Sequence, residues 1–224
     1  MSLEVRKSSD FVPENVCFSS MRKNKNGGKA VYLNMNKNQK ILMQLPYLRA
    51  PFGLSSYTDE STKRTSYSLD LSFDSENQEL QDMFEKLDNH IVSTVAENST
   101  EWLGKKYNVA VMKEALYKPI VRPGKGDYPS TIKLKILCDT KSGEFVPEAY
   151  NHMRERVPLD SIEKSQKALC IIDLNQIWFI DNKFGVSVRL QQVLLEPSKK
   201  LPSFAFKDVE TQEEEVDDEE FDEQ

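Results

Sequence analysis

Between Tyr117 and Lys135 the chain interleaves flat side chains with cations. Tyr117, Lys118, Arg122, Lys125, Tyr128, Lys133 and Lys135 all fall in this stretch, and Asp127 is the only acid in it. Cations that follow phosphates, together with aromatic faces on which bases stack, are what a site for single-stranded nucleic acid requires, each stack contributing roughly 1–3 kcal/mol. The competing account is a solvated loop whose tyrosines pack on the rim of the fold. A second stretch, Pro46-Tyr47-Leu48-Arg49-Ala50-Pro51-Phe52-Gly53, uses prolines to stiffen a loop presenting Tyr47, Arg49 and Phe52, with core packing of Phe52 as its rival. Trp178, in Ile177-Trp178-Phe179-Ile180, could stack a base beside Lys183 and Arg189. A run of four apolar residues belongs inside, however, so Trp178 is assigned to the core.

Other chemistries lack their residues. The sequence holds no His-Glu-x-x-His helix, no paired Cys-x-x-Cys and no Gly-x-Ser-x-Gly elbow, so no catalytic residue is assigned and an enzyme is not expected. Gly124-Lys125-Gly126 lacks the first glycine and the Ser or Thr of a phosphate-binding loop and reads as a turn. The two histidines, His90 and His152, are assigned structural roles. A run of carboxylates without fixed geometry holds divalent cations only weakly, so neither a metal nor a cofactor is expected. Cys17, Cys138 and Cys170 are odd in number and widely spaced, which predicts free thiols. No apolar run approaches the roughly 20 residues that span a bilayer, and the first ten residues carry no secretory h-region. No membrane partner is expected, and the protein is expected to stay inside the cell.

Charge divides the chain in two. Asp208–Gln224 carries eleven acids and no base, which leaves 25 acids against all 30 basic residues in residues 1–207, a body of +5 beside a tail of −11. Like charge at this density repels itself and buries no apolar area, which predicts a disordered acidic tail. Domain boundaries are accordingly placed at an N-terminal arm, residues 1–20, a binding domain, 21–200, and the tail, 201–224.

The body must hold the basic stretch on strands. In Ser66–Phe73, Tyr67, Leu69, Leu71 and Phe73 point one way and Ser66, Ser68, Asp70 and Ser72 the other, the period of a strand with one wet face. In Thr131–Cys138 the same period buries Ile132, Leu134, Ile136 and Cys138 and leaves Lys133 and Lys135 side by side outside. Val186, Val188 and Leu190 mark another strand, pairing with either Ala168–Leu174 or Ile177–Ile180 around Asp181-Asn182-Lys183. Ala30–Met35 and Lys40–Leu45, flanking Asn36-Lys37-Asn38-Gln39, predict a first hairpin. Leu80, Met83, Phe84, Leu87, Ile91 and Val95 recur at three- and four-residue steps, predicting one amphipathic helix capped by Asp74 or Ser75 and running to about Ala96. A shorter helix is predicted over Val109–Leu116. Short strands around one inserted major helix predict a mainly β chain built as an OB-fold Greek-key barrel, with a β-sandwich as the alternative.

The runs Ile41–Gly53, Tyr117–Lys135 and especially Ile177-Trp-Phe-Ile-Asp-Asn-Lys-Phe-Gly-Val-Ser-Val-Arg-Leu-Gln-Gln-Val193 resemble the single-stranded DNA-binding proteins of nucleo-cytoplasmic large DNA viruses, over roughly residues 20–195 and the tail. That family is similar in design to the single-stranded DNA-binding proteins of podovirus-type phages, which join an OB-fold to an acidic C-terminal tail. The resemblance implies sequence-independent binding of single-stranded DNA in viral replication, recombination or repair, in a cytoplasmic viral factory or the host nucleus. It also implies a tail, carried here by Glu213, Glu214, Glu215, Asp217, Asp218, Glu219, Glu220 and Phe221, that recruits a polymerase, primase or helicase. The phage tails finish in an aromatic residue, whereas Phe221 is followed by Asp222, Glu223 and Gln224. The expected groove is lined by Lys118, Arg122, Lys125, Lys133, Lys135 and Arg189, with Tyr117 and Tyr128 as stacking platforms. A tethered polyanion at high effective concentration is expected to compete with DNA for it. RNA binding and an acidic-tailed scaffold or chaperone for basic proteins stand as alternatives, and a homo-oligomer stays open.

Overall fold

Alternation of apolar and polar side chains at 65–72 and period-two burial at 131–136 mark two of the strands through which the sheet closes. A computed structural model describes residues 3–23, 27–36, 39–198, 201 and 205–207. The tail residues named above, together with Lys37 and Asn38 of the first expected turn, lie outside the described residues. The N-terminal strands are β1 (Val5–Lys7), β2 (Val16–Phe18), β3 (Arg22–Lys23) and β4 (Lys29–Met35). Next come β5 (Leu42–Ala50), β6 (Leu54–Thr58) and β7 (Thr65–Ser72), then helices α1 (Gln78–Glu97), α2 (Ser99–Leu103) and α3 (Val109–Val111). The chain continues through β8 (Tyr117–Lys118), β9 (Val121–Arg122), β10 (Thr131–Ile136), β11 (Glu148–Tyr150) and β12 (Arg156–Val157) to a long pair, β13 (Gln166–Ile180) and β14 (Lys183–Leu195). The protein is mainly β with one major helix.

Strands β5, β7, β10, β14 and β13 pair in that order and β13 returns to β5, closing a ring. Every pairing in it is antiparallel except β10 with β14, which is parallel. Leu48, Leu69, Ile132, Leu134, Ile172 and Leu174 fill its interior without solvent exposure. The residues read as an N-terminal arm pair into the sheet, β1 along β5 and β2 along β4, and bury Phe11 and Val16.

Asp74 caps the helical segment as expected: its carboxylate accepts from the Glu76 amide at 3.1 Å and opens a 3-10 turn, Ser75–Asn77, that leads into α1. Leu80, Phe84, Leu87, Ile91 and Val95 are buried, and Phe84 meets Phe73 edge-on with ring centroids 6.4 Å apart. The shorter predicted helix is one α turn, α3, followed by a π turn at Met112–Leu116. Asp88, also on the inner side of α1, accepts from the Tyr117 hydroxyl at 2.5 Å and from the Ile120 amide at 3.1 Å. It thereby ties the segment leading into β9 to the helix.

Two expectations are corrected and one is completed. The strands at 30–35 and 40–45 do not form a hairpin. Instead β4 pairs with Gln176–Phe179 and β5 with Gln166–Asp173, both antiparallel, so they run in line along one edge of β13. The alternatives for the later hairpin are one strand: β13 covers 166–180 and pairs with β14 along its length. Asp181 and Asn182, with φ of 48° and 61°, form its two-residue turn, the left-handed pair that matches the twist of a β-hairpin. The polar side of β7 is not fully wet. Ser72 is buried where β5 meets β7, donating from its hydroxyl to the Arg49 carbonyl at 3.3 Å, and Ser68 is buried beside β10.

Candidate nucleic-acid interface

Alternation along β10 puts Lys133 and Lys135 on the outer face, and register decides what stands beside them. Lys135 lies opposite Arg189 of β14, and Thr131 opposite Arg122 of β9. On the far side of β14, Gly185 lies opposite Trp178. These elements enclose a groove of about 560 Å³ whose basic lining residues are Lys29, Arg122, Lys133, Lys135 and Arg189. Tyr57 and Trp178 also line it, with Ser66, Ser68 and Gln176 between them. Among the described residues no aspartate or glutamate lines the groove, and none of its five cations makes an ion pair. Such a surface attracts phosphate and offers aromatic faces.

Trp178 is not in the core. Ile177 and Phe179 are buried while Trp178 is half-buried and Ile180 exposed, so the four-residue apolar run alternates as an ordinary strand does. Gly185 makes room for the indole. A Cβ on Gly185 would lie 2.9 Å from Trp178 Cζ2, 2.9 Å from the Lys118 carbonyl oxygen and 3.2 Å from Lys118 Cβ. The same glycine therefore seats Trp178 and brings the exposed Lys118 alongside it. Gly185→Ala is expected to displace the ring or the β8 backbone, costing about 1–3 kcal/mol of stability as overpacking does. Thermal unfolding measures that, and an unchanged melting temperature would show that the site relaxes freely.

The remaining assigned residues are dispersed. Tyr117, expected to stack a base, is 6 % exposed; its ring packs on Phe184 at 5.1 Å and its hydroxyl is held by Asp88. Burial and the adjacent Asp88 carboxylate push its pKa well above the usual tyrosine value. Lys125 and Tyr128 sit in the loop joining β9 to β10, where Tyr128 is 79 % exposed. That loop folds tightly at Gly124, since a Cβ there would fall 1.7 Å from the Tyr128 carbonyl oxygen. Lys183 stands at the tip of the β13–β14 hairpin opposite Ile180, which lines the groove.

Tyr47 and Arg49 are on β5, opposite Leu169 and Lys167, so nine and eleven residues of β13, roughly 30–35 Å of strand, separate them from Trp178. Arg49 donates to the Ser165 hydroxyl at 2.7 Å and lines a different hollow of about 450 Å³ together with Lys164, Lys167, Glu163 and Glu196. Phe52, whose rival assignment was the core, is 58 % exposed. Of the twelve body residues assigned from sequence, Arg122, Lys133, Lys135 and Arg189 line the groove; Lys118 adjoins Gly185 and Lys183 stands opposite Ile180, while Lys125 and Tyr128 lie in the β9–β10 loop outside the lining.

Sequence reasoning missed Tyr57 and Lys29. Tyr57 pairs with Ser66 on the hairpin of β6 and β7, and the signal was an aromatic side chain set among serines and threonines on a strand. The Lys29 ammonium donates to the Trp102 carbonyl at 3.2 Å at the groove's end.

The model of a family of unknown function (DUF5871) matches residues 62–208. An uncharacterized protein, L291, of Acanthamoeba polyphaga mimivirus is 26% identical over 162 residues, covering 72% of this chain and 27% of that protein. The chain thus spans about a quarter of that relative's length. A solved single-stranded DNA-binding protein from bacteriophage Enc34, in complex with single-stranded DNA, has a TM-score of 0.42 and 13% identity, covering 84% of this chain and 98% of that one. A C-terminal truncation of the phage protein has a TM-score of 0.44 and 14% identity, covering 84% and 99%.

Proposed function

Because the chain belongs to the DUF5871 family, whose function is unknown, we propose its activity from its own geometry: it binds single-stranded DNA, without a required sequence, in the groove over β10, β14 and β13. The lining carries this reading, because five cations, none of them in an ion pair among the described residues, surround a half-buried tryptophan. A buried structural ion network would pair those charges. The five-strand ring with one parallel pairing supports reading the body as an OB-type Greek-key barrel.

The tail, a polyanion of eleven acids tethered to a cationic groove, competes for that groove when DNA is absent and is released when DNA enters. Once released, the segment around Phe221 engages a replication enzyme. We further infer a setting in viral DNA replication, recombination or repair, at the site in the infected cell where that DNA is copied; that a relative is a mimivirus protein supports the viral part of this reading.

Fluorescence anisotropy of a labelled oligothymidine tests this. Five neutralised phosphates give a log–log salt slope of about −3.5. A chain ending at Lys207 should bind more tightly than the full chain. A slope near zero would remove the groove. Failure of both chains to bind would favour the acidic scaffold, and equal competition by a matched RNA oligomer would extend the ligand to RNA.

A further inference from the structure

The groove does not end at β13. One register pair carries its outer face onto β4, Gln176 of the groove lying opposite Tyr32, and a second carries it along β13, Arg189 of the groove lying opposite Asp173. Directly opposed residues in a sheet project to the same side. Tyr32 and Asp173 line a second hollow of about 500 Å³ together with Arg22, Lys40, Asn34 and Asn175.

This hollow is built differently from the groove. Arg22 lies over the Tyr32 ring at 5.5 Å, and Lys40 is exposed at the edge. Asp173, however, is only 4 % exposed, and it accepts from Asn175 Nδ2 at 3.3 Å. The other amide atom of Asn175, Oδ1, is buried without a hydrogen-bond partner among the described residues. Asp173 already faces the charges of Lys40 and Arg189, but the Asn175 oxygen lacks a donor among the described residues, and leaving a buried acceptor unmatched is costly. Around them stand a guanidinium plane for stacking and an ammonium for phosphate.

We propose that this hollow is a second subsite for the same strand, and that it takes a nucleobase bearing an exocyclic amino group, whose N–H donates to Asp173 and Asn175 while the base stacks on the Arg22 plane. This rests on the groove reading above. Cytosine N4 and adenine N6 present such donors, whereas thymine presents the O4 carbonyl in the same place. One position along a strand that is otherwise held without regard to sequence is thereby biased.

The test compares oligodeoxycytidine with oligodeoxythymidine of equal length on the full chain at pH 8, where both are single-stranded pyrimidine tracts. Wild type should bind the cytidine tract about fivefold or more tightly. Asn175→Ala should reduce that ratio toward one. Asp173→Asn, which turns an acceptor-only group into one that also donates, should reduce or invert the ratio while binding of the thymidine tract persists. Equal affinities in wild type and both variants would overturn the subsite and leave the groove standing. Loss of binding to both tracts in wild type would overturn the groove reading, and the subsite with it.

Discussion

Trp178→Ala is expected to weaken binding of oligothymidine by about 5- to 150-fold, the equivalent of the roughly 1–3 kcal/mol that one base–aromatic stack supplies. The ring is half-buried over Gly185 and faces the groove, so its outer face is free to receive a base. Trp178→Phe should recover part of the loss because a smaller π-face is retained. Tyr117→Phe is the discriminating control. It removes a hydroxyl held by Asp88 inside the protein and should lower stability by about 1–3 kcal/mol without a matching loss of affinity. Anisotropy titrations read beside thermal melts separate these effects. If Tyr117→Phe lost affinity and Trp178→Ala did not, the sequence-based assignment of Tyr117 as the platform would be restored.

Asp88 makes folding stability fall as pH rises. Burial pushes its pKa from 3.8 up to about 6, against the opposing pull of hydrogen bonds from Tyr117 and the Ile120 and Val121 amides. In the folded protein the carboxyl therefore holds its proton where the unfolded chain has released it. The stabilisation is fully present below pH 3.8 and is lost as pH rises through about 6, amounting to about 3 kcal/mol over that window. Asp88→Asn keeps an acceptor for Tyr117 and Ile120 and removes the ionisation. Urea unfolding of both proteins from pH 4 to 8 should give curves that diverge across this window, with the wild type falling more steeply. Parallel curves would mean that Asp88 titrates alike in both states.

What the sequence made legible was local. One-sided burial forces period two, so Lys133 and Lys135 on β10 and the turn at Asp181-Asn182 could be placed without a structure. The helix was legible because its apolar stripe recurs at helical spacing and Asp74 supplies a cap. Long-range pairing was not legible. Nothing near residue 36 shows that β13 will lie along both β4 and β5, and that neighbour replaces the hairpin. Tyr117 carries no local mark of burial, because its partner Asp88 comes from a helix 29 positions earlier. Trp178 was misplaced by treating Ile177–Ile180 as a block instead of an alternating strand. Gly185, a glycine inside a strand pattern, marked the close approach that seats the indole.

The long final hairpin also sets when the binding surface can exist. Three groove strands and both sides of the ring's closure depend on β13 and β14, yet β13 must find β5 across roughly 120 residues of intervening chain. A topology dominated by such distant contacts folds slowly, because loop-closure entropy is lost before any contact compensates for it. During synthesis the cationic strand β10 emerges after β7 and β9 but before β14, and Trp178 and Arg189 take their places only when nearly the whole body has been made. A polypeptide interrupted before Leu195 would carry the lysines without the cleft, so the proposed surface forms only once the domain is complete.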